Sequence, residues 1–549
     1  MTTARGFRNQ FGENVFAYKY QNSDSQTWGE KARLIVYDVT ENLMPTDMQE
    51  ALTQYVADFK FIPGGRYIYY AGRQYRAYNN CYLLAGEEDT REEWGNLLKR
   101  ASDCLMSGGG IGVDYSIFRP EGAPLGRTGG IASGPIPLMH SINEVGRNVM
   151  QGGSRRSAIY ASLNWKHKDA QKFLTMKNWY DQKIGANYNY GQWKEDDMTN
   201  AQAPLDQTNI SLNYDNSFLD HIQQGHLPKT FVENCRQALM TGEPGFSFNF
   251  GDKEDETLRN ACTEVTSADD SDVCNLGSIN IGAIDSLDEF RDIVRLAAGF
   301  LVCGTITADL PYEKVYAIRK KNRRLGLGLM GIHEWLLKRG YKYGMCPELR
   351  QWLEVYREES ERAANSLCDR LDISRPIAYR AIAPTGTIGI LAGTTTGIEP
   401  LFAVAYKRRY LVGGKKWKYE YVVDATAEEL IQTYGLNPND IETSVSLVDD
   451  WERRVAFQAD VQDYVDMAIS STLNLPAWGT DGNNEDRVGS FAETLARYAP
   501  RLRGFTAYPD GARGGQPLVH CSYKEAHRHK GMVYEENADA ACAGGVCGI

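Results

Sequence analysis

Residues 259–280 read RNACTEVTSADDSDVCNLGSIN. In the first half of this stretch Asn260, Cys262 and Glu264 alternate with Ala261 and Thr263, so an amide, a thiol and a carboxylate can converge on one small substrate. Cys274 closes the second half, and Cys81 lies 193 residues before it, far outside any local metal-ligand spacing. The last eight residues, CAGGVCGI, add Cys542 and Cys547 on a tail of small residues. Together these five cysteines point to thiol-driven redox chemistry with an arm that recharges a buried pair. An odd total of 11 cysteines in so long a chain favours free, catalytic or buried thiols over a disulfide framework. Cys104, Cys235, Cys303, Cys346, Cys368 and Cys521 read as small buried hydrophobes.

Composition bounds the function. The chain has 549 residues, 42% hydrophobic and 24% charged, as in a soluble globular protein. Its net charge of −11 argues against a protein that coats nucleic acid, which normally shows a basic face. A nucleotide substrate needs only local positive charge. The first twenty residues lack an apolar signal core, and no apolar run approaches 18 residues, so the chain reads as cytoplasmic and not membrane-bound.

Three regions are expected. Residues 1–78 are aromatic-rich, with a helix predicted at 46–59, and form a mainly helical N-terminal segment. Between 79 and 522, short apolar runs such as IGVDYS (111–116), NISLNY (209–214) and RLGLGLMG (324–331) alternate with helical stretches at 284–302 and 347–371. That alternation predicts an α/β domain with parallel strands, and leaves a doubly wound sheet and a barrel both open. Thr90 and Glu93 form a capping box ahead of a helix carrying Trp94, Leu97, Leu98, Ala101 and Leu105 on an apolar stripe. From 523 to 549 apolar periodicity is absent, and a mobile tail is expected.

An ordered series of motifs carries a resemblance. NNCYLL (79–84), SGGGIGVDYS (107–116), TGGIASGPIPL (128–138), QGGSRRSA (151–158), TNISLNYDNSF (208–218), NACTE (260–264), CNLGSIN (274–280), KKNRRLGLGLMGI (320–332), APTGTIG (383–389) and YPDGARGGQPL (508–518) appear in family order. The chain resembles the ribonucleotide reductases, most closely the adenosylcobalamin-dependent class. The resemblance implies a ten-stranded α/β barrel with a central finger loop, and reduction of ribonucleoside di- or triphosphates to 2′-deoxyribonucleotides. Whether the substrate is the diphosphate or the triphosphate stays open.

By position in the motifs, Cys262 is implied as the thiyl radical site, Glu264 as general base and Asn260 as a ribose-orienting group. Cys81 and Cys274 are implied as the pair that becomes a disulfide. Where relatives read Asn-Pro-Cys-Gly-Glu, this chain has Ala261 and Thr263. Cys542 and Cys547 read as a shuttle dithiol served by a thioredoxin- or glutaredoxin-type reductant; half of a zinc site is disfavoured because no second Cys or His pair lies nearby, and no metal site is assigned. The APTGTIG segment reads as strand, tight turn and helix start, a cradle for phosphate at Thr385, Gly386, Thr387 and Ile388. Asn209 and Ser211 match a substrate-lining segment. Gln151, Arg155 and Arg156 match the loop linking effector to substrate base, with a solvated basic turn as the equal alternative for the arginines.

The resemblance also implies deoxynucleoside triphosphate and ATP effectors, bound at a homodimer interface that includes the 90–107 helix. The long insertion that replaces this interface in monomeric relatives is missing, and the N-terminal nucleotide-binding cone of many relatives is not recognised. Oxygen-dependent relatives carry two adjacent relay tyrosines near the C-terminus, whereas the only such pair here is Tyr69–Tyr70. Two alternatives stand beside the cobalamin-dependent reading: a catalytic subunit fed by a separate radical-generating protein, and a non-catalytic nucleotide sensor.

Overall fold

The computed structural model of the protein describes residues 6–79, 81–149, 157–178, 205–412, 416–510, 512, 518–530 and 532–537. Sixteen strands are described: β1 Phe61–Pro63, β2 Cys81–Ala85, β3 Gly110–Asp114, β4 Ile159–Asn164, β5 Thr208–Tyr214, β6 Gly245–Phe248, β7 Leu258–Arg259, β8 Thr266–Ser267, β9 Asp272–Asn280, β10 Leu325–Met330, β11 Ala405–Val412, β12 Lys416–Val423, β13 Thr472–Leu475, β14 Gly504–Pro509, β15 Leu518–His520 and β16 Val533–Asn537.

Ten of these strands share one sheet, in the order β1-β9-β2-β3-β4-β5-β6-β14-β13 with β10 on β9. Strands β2 to β6 are mutually parallel. They meet β9 and β14 in two antiparallel seams, while β9 runs parallel to β10 and β14 to β13. Short bridges carry the path onward from β10. Leu327 pairs in parallel with Arg380, and Ile382 with Ile469, just ahead of β13. Backbone bonds reinforce them: Leu325 N–H donates to Ala378 O at 2.9 Å, Ile382 N–H to Ala468 O at 3.2 Å, and Ser470 N–H to Ile382 O at 2.8 Å. Hydrogen bonding therefore runs round a ring of two parallel halves, β2–β6 on one side and β9, β10, 378–382, 467–475 and β14 on the other. The strand expected to lead into the APTGTIG turn is reduced to these bridges.

Each half has its own apolar packing. The N-terminal helices Trp28–Thr40 and Thr46–Ala57 pack with Leu287–Thr307, Pro347–Arg370 and β10, whose fully buried LGLGLM run is the signature of a strand covered on both faces. Helices Arg91–Met106, Ile136–Asn148 and Val488–Tyr498 cover β2 to β6.

The structure corrects three expectations. Thr90 caps its helix by accepting from Glu93 N–H at 3.1 Å, but the Glu93 carboxylate turns to Glu87 N–H and Arg100, so only half of the capping box forms. Leu97, Ala101 and Leu105 lie in the chain's own core, which removes the need for a partner surface to cover them. Leu98 stays half-buried and Met106 exposed. The 523–549 segment begins in ordered structure: Tyr523–Arg528 is helical, and β16 adds to the edge of a four-stranded sheet, β15-β11-β12-β16, whose free backbone groups it satisfies. Sequence reading missed this sheet altogether.

Candidate active site

The finger is a small hairpin. β7 and β8 pair antiparallel, Leu258 opposite Ser267 and Arg259 opposite Thr266, and residues 260–265 turn between them. Asn260 builds the turn, its carbonyl accepting from Thr263 N–H at 2.9 Å and its Oδ1 from Val265 N–H at 2.9 Å. Thr263 sits at φ +69°, in the left-handed region. The strand beneath approaches so closely that a Cβ on Gly112 of β3 would lie 1.6 Å from the Arg259 carbonyl oxygen, so only glycine fits there.

At the tip, Cys262 is exposed while Ala261, Asn260 and Glu264 are buried. The thiols behind it are placed by strand register. Cys81 of β2 stands directly opposite Cys274 of β9 in the antiparallel seam. Cross-strand neighbours of this kind have Cα atoms roughly 4.5–5.5 Å apart, within the range a disulfide spans. Both thiols are buried, and burial together with neighbouring negative charge, Glu264 among it, raises their pKa well above the ordinary value. In the reduced pair the protons are held. Asn260 Nδ2 donates to Cys81 Sγ at 3.0 Å, tying finger to pair.

Glu264 is 1% exposed, and among the described residues its Oε2 has no hydrogen-bond partner. Burial pushes its carboxyl up to about 7, an effect the Asn260 amide partly offsets. An acid titrating near neutrality with a bare oxygen is suited to moving one proton. Its backbone links it to the candidate phosphate turn: Ala468 N–H donates to Glu264 O at 2.8 Å, and Ala468 O accepts from Ile382, three residues before Thr385.

That turn has Thr385 at φ +51°, its hydroxyl accepting from Gly397 N–H at 2.8 Å, ahead of a short helix, Gly386–Ala392. Gly386 is exposed, Thr387 half-buried and Ile388 buried. Asn209 and Ser211 share one face of β5, three strands round the ring from Cys81, with Asn209 exposed and Ser211 buried. Gln151, Arg155, Arg156, Cys542 and Cys547 lie outside the described residues. Of the remaining cysteines, Cys104, Cys235, Cys303, Cys368 and Cys521 are buried as expected, and Cys346 is half-buried, its sulfur accepting from Leu349 N–H at the start of helix Pro347–Arg370.

Sequence reading missed Arg259. Its guanidinium, 1% exposed, donates to Glu256 O at 2.5 Å, Asn249 Oδ1 at 2.6 Å and Arg503 O at 3.2 Å. Asn249 follows the end of β6 and Arg503 precedes the start of β14, so the side chain fastens the finger base to the seam between the two half-barrels. Burial and the nearby Arg503 lower its pKa to about 9. Against burial, Arg503 and Arg324 hold Glu256 down to about 2, and Arg324 also pairs with Asp272 at 2.8 Å. The one available signal was an arginine next to the Asn-x-Cys-x-Glu motif, where a finger threading a barrel must bury it.

The structure thus brings together an accessible thiol on the finger, a buried and register-paired dithiol, and a buried carboxyl group with one oxygen unpartnered among the described residues. Residues 79–243, 247–357 and 375–499 match the family described as ribonucleotide reductase, barrel domain, and the chain belongs to that family. It is 26% identical to the vitamin B12-dependent ribonucleoside-diphosphate reductase of Mycobacterium tuberculosis H37Rv, over 86% of this chain and 72% of that one. A Mycobacterium phage D29 protein named for adenosylcobalamin-dependent ribonucleoside-triphosphate reduction is 25% identical, over 84% of this chain and 75% of that one. Among solved structures, the alpha subunit of the Actinobacillus ureae class Id ribonucleotide reductase superposes with a TM-score of 0.70 at 16% identity, covering 91% of this chain and 97% of that one, a likeness of fold.

Proposed function

We propose that this chain is an adenosylcobalamin-dependent ribonucleotide reductase that acts through a thiyl radical on Cys262. The single observation that carries the reading is the arrangement of Cys262, exposed, over the buried and register-paired Cys81 and Cys274, with the free Glu264 oxygen beside it. The exposed tip fits an external radical source, since Cys262 and the half-buried Thr263 meet solvent whereas the other two thiols do not. Cys262 would face the cofactor, which when bound supplies removal of a hydrogen atom from its thiol.

Cys262 then takes the hydrogen atom from C3′ of the ribose, and Glu264 accepts the 3′-hydroxyl proton. The 2′-hydroxyl leaves as water with a proton from the Cys81/Cys274 pair. The pair gives a hydrogen atom to C2′ and its second electron to the C3′ carbonyl and becomes a disulfide, while Glu264 returns its proton to the 3′-oxygen. Cys262 returns its hydrogen atom to C3′. One ribonucleotide and two thiols give one deoxyribonucleotide, one disulfide and water.

Asn260 holds Cys81 in place, with a second amide N–H for the ribose. Thr385, Gly386, Thr387 and Ile388 take the phosphates, and Asn209 and Ser211 line the substrate. Gln151, Arg155 and Arg156 read the base, and Cys542 and Cys547 pass electrons from a thioredoxin- or glutaredoxin-type protein. Residues 1–78, 79–522 and 523–549 serve as helical segment, catalytic barrel and redox tail of a cytoplasmic homodimer governed by deoxynucleoside triphosphate and ATP effectors. No described helix is long and apolar enough to cross a membrane. The deciding assay is purified chain with ribonucleoside di- or triphosphate and dithiothreitol, with and without adenosylcobalamin. Product only with the cofactor supports the reading; product only with a separate radical-generating subunit replaces it.

A further inference from the structure

The residue between the two reacting groups is itself out of place. Thr263 is β-branched, yet it holds φ +69°, a conformation such residues rarely adopt. Glycine would take this conformation without strain. A residue kept in a costly conformation at a reactive turn points to a use for its side chain. The other threonine at positive φ near the site, Thr385, spends its hydroxyl inside the chain on Gly397 N–H. Thr263 does not: among the described residues its hydroxyl has no partner, and the residue is half-buried at the rim of the tip.

Its neighbours fix what it meets. Cys262 and Glu264 flank it directly, so a ribose that reaches both the exposed thiol and the Glu264 Oε2 lies along the turn that carries Thr263. We propose that the Thr263 hydroxyl is a substrate-binding group that hydrogen-bonds a ribose hydroxyl of the nucleotide, and so helps to distinguish ribose from deoxyribose. This rests on the nucleotide-reducing reading of the same site.

The test compares Thr263→Val, which keeps the branched shape without the hydroxyl, Thr263→Ser, which keeps the hydroxyl, and Thr263→Gly, which removes the strain. Calorimetric binding to the full chain uses a ribonucleotide and its 2′-deoxy and 3′-deoxy analogues, with turnover measured in parallel. Thr263→Val and Thr263→Gly should each bind the ribonucleotide about tenfold more weakly, as expected for one lost hydrogen bond. Thr263→Ser should stay close to wild type. The deoxy analogue lacking the partnered hydroxyl should bind all four proteins alike, which identifies that hydroxyl. Equal affinities for every ligand across folded variants would overturn the proposal. If the binding pattern holds while no form turns over ribonucleotide, the activity reading fails and the contact stands.

Discussion

The two halves of the barrel do different work. In β2 to β6 the staves are continuous strands in unbroken parallel register, and the finger lies against them so closely that Gly112 can carry no side chain. Across the seams, 378–382 and 467–470 join their neighbours through short bridges and a few backbone bonds. Backbone groups not used in this pairing are used for the site, as when Ala468 N–H donates to Glu264 O. The regular half is a wall, and the irregular half is a set of holders. The redox pair sits on the seam where they meet.

The largest effect that separates the halves should come from the tip. Cys262→Ser should abolish deoxyribonucleotide formation while calorimetry still shows nucleotide binding, because Cys262 is exposed and serine keeps its size and shape. Binding lost together with activity would mean that the tip shapes the site as well as reacting in it.

Glu264→Gln should lower kcat/KM by roughly 10²–10⁴-fold, the usual range for a missing general base. In wild type kcat/KM should rise with pH through an inflection near 7, since the ionised form takes the proton. Stability should run the other way. With its carboxyl raised from 4.5 to about 7, the folded chain keeps a proton that the unfolded chain has lost, so this group's contribution falls as pH rises through that window. Glu264→Gln should therefore be more stable than wild type above pH 7, by up to about 3 kcal/mol, and match it near pH 4. Denaturant melts at both pH values check the sign; a variant less stable at high pH would show that the carboxylate is held by contacts in its ionised form.

Arg259→Met probes the seam. It leaves the Asn249 side chain and the Glu256 and Arg503 carbonyls without their buried donor and should cost about 3 kcal/mol in denaturant melts. Turnover should fall through kcat as the finger loosens. Wild-type stability would show that the finger is held by the wall alone. Smallest is Thr385→Val on the irregular side, which removes the bond from Gly397 and should cost about 1 kcal/mol. The KM for nucleotide should rise a few fold if this turn holds phosphate.

The cysteines of the β2–β9 seam, the finger residues and the turn at Thr385 were legible in the sequence because motif order preserves what chemistry needs at fixed spacing. Alternating apolar runs also placed β3, β5, β10 and the long helices. Ring closure was hidden, since bridges at Arg380, Ile382 and Ile469 are too short to leave a periodic pattern. The apolar stripe at Leu97, Ala101 and Leu105 could be read, but periodicity does not say which surface covers it, and that surface is the chain's own sheet. Arg259 escaped because a buried guanidinium bonded to main-chain oxygens leaves no partner residue type to find. The register that sets Cys81 opposite Cys274 is a long-range fact that no local spacing contains.

The most direct test is a single-turnover titration. Pre-reduced Cys542→Ser/Cys547→Ser chain is mixed with ribonucleotide and adenosylcobalamin without external reductant, and both the deoxyribonucleotide formed and the disulfide-linked peptides are quantified. About one deoxyribonucleotide per chain is expected, with a matching yield of one disulfide joining Cys81 to Cys274. Product without that disulfide, or a disulfide that joins Cys262 to either of them, would contradict it.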